Sequence, residues 1–81
     1  MSTAVTIYST TWCGHCRRLK RQLDDIGVPY SEVDIEDSVE SARRIEAATG
    51  GYRTVPTVEV GERMLINPSV IEVRDAVGAA S

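Results

Sequence analysis

The chain has 81 residues, 42% of them hydrophobic, which is room for one domain with a core of modest size. A formal charge of −3 argues against a protein built to grip phosphate backbones, so nucleic acid is not an expected partner. The first residues lack the basic start and apolar run of a secretory signal, and no apolar stretch is long enough to span a membrane, so a cytoplasmic protein free of membranes is expected.

Phe is absent, and Trp12, Tyr8, Tyr30 and Tyr52 are the only aromatic residues. The core should therefore be built from Val, Ile, Leu and Ala. Ala4 to Tyr8, rich in β-branched residues, reads as a first strand. Ser9 to Trp12 leads from it into Cys13-Gly14-His15-Cys16, which contains both cysteines of the chain. From Cys16 onward, Cys16, Leu19, Leu23 and Ile26 recur at helical spacing, while Arg17, Arg18, Lys20 and Arg21 face elsewhere. Gly27, followed by Pro29, ends this first helix.

Tyr30 to Ile35 reads as a second strand with imperfect alternation. Asp37-Ser38-Val39-Glu40 has the form of a helix start, and Val39, Ala42, Ile45 and Ala48 supply the apolar stripe of a helix over Ser38 to Thr49, stopped by Gly50-Gly51. Thr57 to Val60 and Met64 to Ile66 are short strands joined through Gly61-Glu62-Arg63, as in a hairpin. Asn67-Pro68-Ser69 opens a last helix, with Pro68 suited to a first helical position and Ser69-x-x-Glu72 offering a capping box one register on. Val70, Val73 and Val77 form its buried stripe, and residues 78–81 read as a frayed tail. The predicted order is β-α-β-α-β-β-α, an α/β domain over residues 1–81 whose first two strands are parallel with a right-handed crossover. A monomer is expected, since no second large apolar stripe is evident.

Two cysteines in a chain of this class, placed as C-x-x-C within βαβ patterning, point to catalysis or metal binding rather than to a structural staple. A disulfide closing so small a loop restricts the unfolded chain little. A cysteine at a helix start meets unsatisfied N–H groups and the positive end of the helix dipole, which favour the reactive thiolate. Cys13 is therefore the expected nucleophile, exposed at the strand-to-helix turn, with Cys16 on the buried face of the helix. A metal module would need four ligands, and Cys13, His15 and Cys16 are too close together to serve one ion easily. Two chains or external thiols would have to complete such an iron–sulfur or metal site.

The element order, Cys13 to Cys16 after the first strand and Thr54-Val55-Pro56 before the third together resemble the glutaredoxin branch of the thioredoxin superfamily, over essentially the whole chain. The resemblance implies a four-stranded mixed sheet with three helices. Within that branch, Trp12-Cys13-Gly14, Val33 to Glu36, Gly50-Gly51, Arg53 to Val58 and Asn67-Pro68-Ser69 look most like mycoredoxins, the small redoxins of mycothiol-producing actinobacteria. It implies a thiol–disulfide oxidoreductase with no bound cofactor, acting on S-mycothiolated proteins with mycothiol as co-substrate. Reducing power would come from an NADPH-dependent mycothiol disulfide reductase.

Departures from ordinary glutaredoxins carry the same message. Glutaredoxins clamp the carboxylates of glutathione with a Lys before the first Cys and an Asp near the last helix; here Thr10 stands at the Lys position and Asn67-Pro68-Ser69 has no obvious Asp. Mycothiol is an N-acetylcysteine joined to glucosamine and inositol, with no carboxylate, and neutral Thr10, Asn67 and Ser69 suit it. Asn67 and Ser69 equally suit a purely capping role. The resemblance further implies a cis Pro56 that brings Val55 beside the cysteines, where its backbone would pair with the substrate cysteine as an added strand. Thr54 and Arg53 belong to the same segment, with Arg53 either touching ligand or supporting the turn. Trp12 is expected to flank the sulfurs, and His15 is read as a tuner of the thiolate rather than a general base or a spacer. A redoxin of the same fold fed by thioredoxin reductase, like the glutaredoxin-like donors of ribonucleotide reductase, is the competing reading.

Overall fold

The computed structural model describes residues 4–80 and runs β1 (Val5–Ser9), α1 (Gly14–Asp25), β2 (Ser31–Asp34), α2 (Val39–Thr49), β3 (Thr57–Val60), β4 (Arg63–Ile66) and α3 (Val70–Ala80). The predicted order is the observed one. The four strands form one sheet in the order β2-β1-β3-β4, with β1 and β2 parallel and the other pairs antiparallel. β1 is central because it is apolar on both faces. Val5 and Ile7 enter one core with Leu19, Leu23, Val58, Val60, Val73 and Ala76, while Tyr8 enters the other with Ile35, Ala42 and Ile45. Helices α1 and α3 thus cover one face and α2 the other, and the period-two alternation of β1 decides which side chain meets which helix.

Several boundaries differ from expectation for local reasons. Helix α1 begins at Gly14 because Cys13 serves as its N-cap, and Ile26, expected on the buried stripe, is the C-cap and lies exposed. Beyond it the Gly27 N–H reaches the Asp24 carbonyl at 3.1 Å and the Val28 N–H the Leu23 carbonyl at 3.0 Å. That is a Schellman closure, and Gly27 at φ +75° occupies its left-handed position. In α2 the cap is Ser38, whose hydroxyl accepts from the Ser41 N–H at 3.2 Å, so Asp37 stands one residue outside the helix. The buried stripe of α2 narrows to Ala42 and Ile45, and Val39 and Ala48 face outward.

The hairpin turn is two residues, Gly61-Glu62, because Arg63 already pairs with Val60. Asn67 through Ser69 precede α3: Ser69 accepts from the Glu72 N–H and its own N–H donates to the Glu72 carboxylate, both at 3.2 Å, which makes a reciprocal capping box. Pro68 accordingly sits before the cap, buried, rather than at the first helical position. Instead of fraying at Gly78, α3 continues to Ala80, since Gly78 and Ala79 complete its last turn beyond the buried Val73 and Ala76; Ser81 lies outside the described residues.

One polar clamp holds α2 to the sheet. The Tyr8 hydroxyl donates to Glu59 at 3.1 Å, Arg44 donates to the same hydroxyl at 3.1 Å, and Arg44 also pairs with Glu59. Burial, reinforced by Glu59, pushes the Tyr8 hydroxyl above its ordinary range, so it stays protonated and keeps donating. Among the described residues no helix is long and apolar enough to cross a membrane.

Candidate active site

The end of β1 hands the chain to α1 through residues 10–12, and this turn carries the dithiol. Cys13 has extended dihedrals (φ −84°, ψ 106°), and its sulfur accepts the Cys16 N–H at 3.1 Å. A sulfur therefore does what a Ser or Asp oxygen does at an ordinary helix start: it takes one of the four backbone donors left over there.

Cys13 is more enclosed than expected, with 6% of its surface exposed. Capping turns the sulfur inward over the first turn of α1. From the other side the Val55 carbonyl lies 3.9 Å away, where it accepts from the thiol. Cys16 is fully buried on the inner face of α1, as expected, and both cysteines are free. Burial first, and then hydrogen bonding with Cys13, pushes the Cys16 thiol up to about 12 against the weaker opposing pull of the Thr10 backbone. Both sulfurs are thus enclosed, Cys13 as the cap of α1 and Cys16 on its inner face.

Three segments meet at this turn. The Val55–Pro56 peptide is cis, and the Pro56 carbonyl accepts from the Asn67 N–H at 2.9 Å. Asn67 takes the left-handed conformation at φ +50°, one that Asn tolerates better than most residues. His15 places Nε2 3.4 Å from the Pro68 carbonyl, and since a carbonyl only accepts, this contact assigns the ring hydrogen to Nε2. His15 and Asn67 therefore link the cysteine turn, the 54–56 segment and the start of α3.

Other predicted site residues have structural partners. Ser69 spends its hydroxyl on the cap of α3. Arg53 pairs with Glu46 of α2 at 2.9 Å, which braces the segment leading to Val55. The Thr54 carbonyl accepts from the Thr57 hydroxyl at 2.7 Å. Trp12 is 68% exposed beside the cysteines, and its indole N–H donates to Glu36 at 3.0 Å. Thr10 is buried, its carbonyl accepts from the Cys13 N–H at 3.4 Å, and its hydroxyl has no hydrogen-bond partner.

Reading along the sequence missed Glu36 as the partner of Trp12, and it missed the Ser9, Lys20 and Glu32 group, in which Ser9 and Lys20 both donate to Glu32. No linear spacing announces these contacts, because β2 is brought beside β1 by the crossover. Among the described residues, no group of three or more His, Cys, Asp or Glu side chains could hold a metal ion.

Comparison with known proteins agrees with this geometry. The glutaredoxin family model matches residues 5–65. The chain is 45% identical over 75 residues to a Mycobacterium tuberculosis glutaredoxin, covering 91% of this chain and 89% of that one. It is 37% identical over 70 residues to mycoredoxin 1 of Corynebacterium glutamicum, covering 85% of this chain and 86% of the relative. Among solved structures, a buckwheat glutaredoxin in complex with glutathione superposes with a TM-score of 0.71 at 28% identity, over 96% of this chain and 74% of that one. The glutaredoxin of Archaeoglobus fulgidus superposes at 0.76 with 20% identity, over 93% of this chain and 86% of the other, a likeness of fold. A dithiol at the head of α1, a cis-proline segment against it and this degree of identity lead to one conclusion: the chain belongs to the glutaredoxin family of thiol–disulfide oxidoreductases.

Proposed function

We propose that the protein reduces protein–mycothiol mixed disulfides through Cys13. The observation that carries this reading is the Cys13 sulfur held as the cap of α1 beside the Val55 carbonyl. In the first step the Cys13 thiolate attacks the mycothiol sulfur of the mixed disulfide. The bond between the two sulfurs of the substrate breaks, the protein thiolate leaves and takes up a proton, and Cys13 is left joined to mycothiol. A second mycothiol thiolate then attacks the mycothiol sulfur of that adduct, releasing Cys13 thiolate and mycothiol disulfide, which an NADPH-dependent reductase returns to two thiols.

Cys16 is the alternative resolving group, and its environment favours the external thiol. Attack requires a thiolate, and a buried thiol pushed up to about 12 is protonated at neutral pH. The Val55 backbone is proposed to receive the substrate cysteine as an added strand, a mode that tolerates many flanking sequences. The similarity to mycoredoxin 1 and the neutral Thr10 in place of a carboxylate-binding Lys support mycothiol over glutathione.

The test supplies NADPH with either mycothiol plus its disulfide reductase or thioredoxin reductase, and follows reduction of a mycothiolated peptide. Turnover with the first system alone is expected, and turnover with thioredoxin reductase alone would instead make the protein a dithiol donor of the ribonucleotide-reductase type. Cys16→Ser should keep activity with mycothiol in excess; loss of activity would overturn the monothiol route.

A further inference from the structure

A lysine stands one helical turn beyond Cys16. Lys20 is four residues on in α1, the spacing that places two side chains next to each other on one side of a helix. Its ammonium is tied down from the sheet. Lys20 and the buried Ser9 of β1 both donate to the same carboxylate oxygen of Glu32 in β2, the Ser9 bond at 2.8 Å, and the Lys20 side chain is only 25% exposed. Three elements thus fix one positive charge a turn away from the buried thiol. This group lines a pocket of about 470 Å³ that opens where β1 and β2 end beside α1, together with Thr10, Arg17, Asp34 and Asp37.

The charges act on one another. Hydrogen bonding to Lys20 holds the Glu32 carboxyl below its usual range against the effect of burial, and hydrogen bonding to Glu32 raises Lys20, so both are ionised at neutral pH. Tyr30 and Cys16 also face the Lys20 charge. At Cys16, burial and the Cys13 sulfur disfavour the thiolate, while the Thr10 backbone and the Lys20 charge favour it.

We propose that Lys20, held by Glu32 and Ser9, is a positioning residue for Cys16 and decides how readily that sulfur closes on Cys13. The step starts from the Cys13–mycothiol adduct of the proposed function, and the proposal rests on that reading. Cys16 gives up its proton to solvent and its thiolate attacks the Cys13 sulfur. The Cys13–Cys16 bond forms, the bond to mycothiol breaks, and the mycothiol thiolate leaves and takes up a proton. The Lys20 charge favours the attacking thiolate, and Glu32 cancels part of that charge. Removing one or the other half of the pair should therefore move the step in opposite directions. An ion pair that only braced α1 against the sheet would give both removals the same sign.

The experiment mixes reduced protein with dithiobis(nitrobenzoate) from neutral to mildly alkaline pH and follows release of the coloured nitrothiobenzoate. The first release is bimolecular, from attack by Cys13; the second is unimolecular, from attack by Cys16 on the Cys13 adduct. Lys20→Met keeps the long apolar stem and should slow the second release about threefold, since a tenfold loss of thiolate is partly offset by the greater nucleophilicity of a less acidic thiol. Glu32→Gln should speed it by a similar factor, a gain that loss of fold does not imitate. Lys20→Arg keeps the charge and should keep the native rate and pH profile. The same sign for Lys20→Met and Glu32→Gln, or no change in either, would overturn the role of Lys20, and turnover of a mycothiolated peptide alongside that result would leave the proposed function standing. Because the reporter thiol is not mycothiol, opposite signs without such turnover would uphold the role of Lys20 and overturn only the mycothiol reading.

Discussion

Helices α1 and α3 start in the same way with different atoms. At α3 the Ser69 hydroxyl accepts the N–H three residues on, and at α1 the Cys13 sulfur accepts the N–H three residues on. Ser69 gains reciprocity from Glu72, which reaches back to its N–H. Cys13 has no acid at that place; position 16 holds a second cysteine, and a carbonyl from the 54–56 segment closes over the sulfur. One end is a cap that stabilises a helix. The other is the same cap made from a sulfur, which takes the Cys16 N–H at 3.1 Å and lies 3.9 Å from the Val55 carbonyl.

The sharpest way to separate the two roles is Cys13→Ser. It keeps a capping oxygen, so the unfolding free energy should change by less than about 1 kcal/mol, while reduction of mixed disulfides falls to background. A large loss of stability in a urea melt would mean the sulfur contributes packing that a hydroxyl cannot replace.

Alkaline pH probes the other member of the pair. Cys16 is raised from the ordinary 9.0 to about 12 by burial, so above pH 9 the unfolded chain releases this proton before the folded one does. The stability tied to Cys16 is therefore complete below pH 9 and lost as pH rises toward 12. Urea melts across that window should slope downward more steeply for the native protein than for Cys16→Ser. Iodoacetamide should label Cys13 before Cys16, with Cys16 reacting only as the solution becomes strongly alkaline.

Ser69→Ala removes the α3 cap and should cost about 1 kcal/mol, or roughly 4–8 °C in melting temperature for a domain of this size. Its effect on turnover should be small. A tenfold rise in KM for mycothiol would instead return Ser69 to the binding site. His15→Tyr removes the group that meets the Pro68 carbonyl and should lower the dithiol reduction potential by a few mV and at most about 30 mV. An unchanged potential would leave His15 as a strap between α1 and α3.

Much of this architecture was legible from local chemistry. The β-branched run of β1, the Gly27 stop, the Gly61 turn and the apolar spacing of α1 each follow from neighbours within one or two turns of chain. Stripes were read less well at their ends: Ile26, Val39 and Ala48 hold the right spacing yet face outward. Periodicity gives a direction on a helix, and only the packed partner says how far along that helix burial extends.

Site residues divide along the same line. Cys13 and Cys16 lie three positions apart in the sequence, so their closeness at a helix start could be read directly, together with the family pattern that includes Thr54-Val55-Pro56. Which groups surround them could not. Val55 over the Cys13 sulfur, Pro68 against His15, Glu36 on Trp12 and the Glu32 side of the pocket beside Thr10 all join residues far apart in the chain. The amino-acid sequence determined the elements and the cysteine pair at a helix start, because these depend on spacing within a single turn. Only the tertiary structure decided the enclosure of Cys13, the suppression of Cys16 and the pocket beside them, because burial and charge arise from segments that meet only when the sheet assembles.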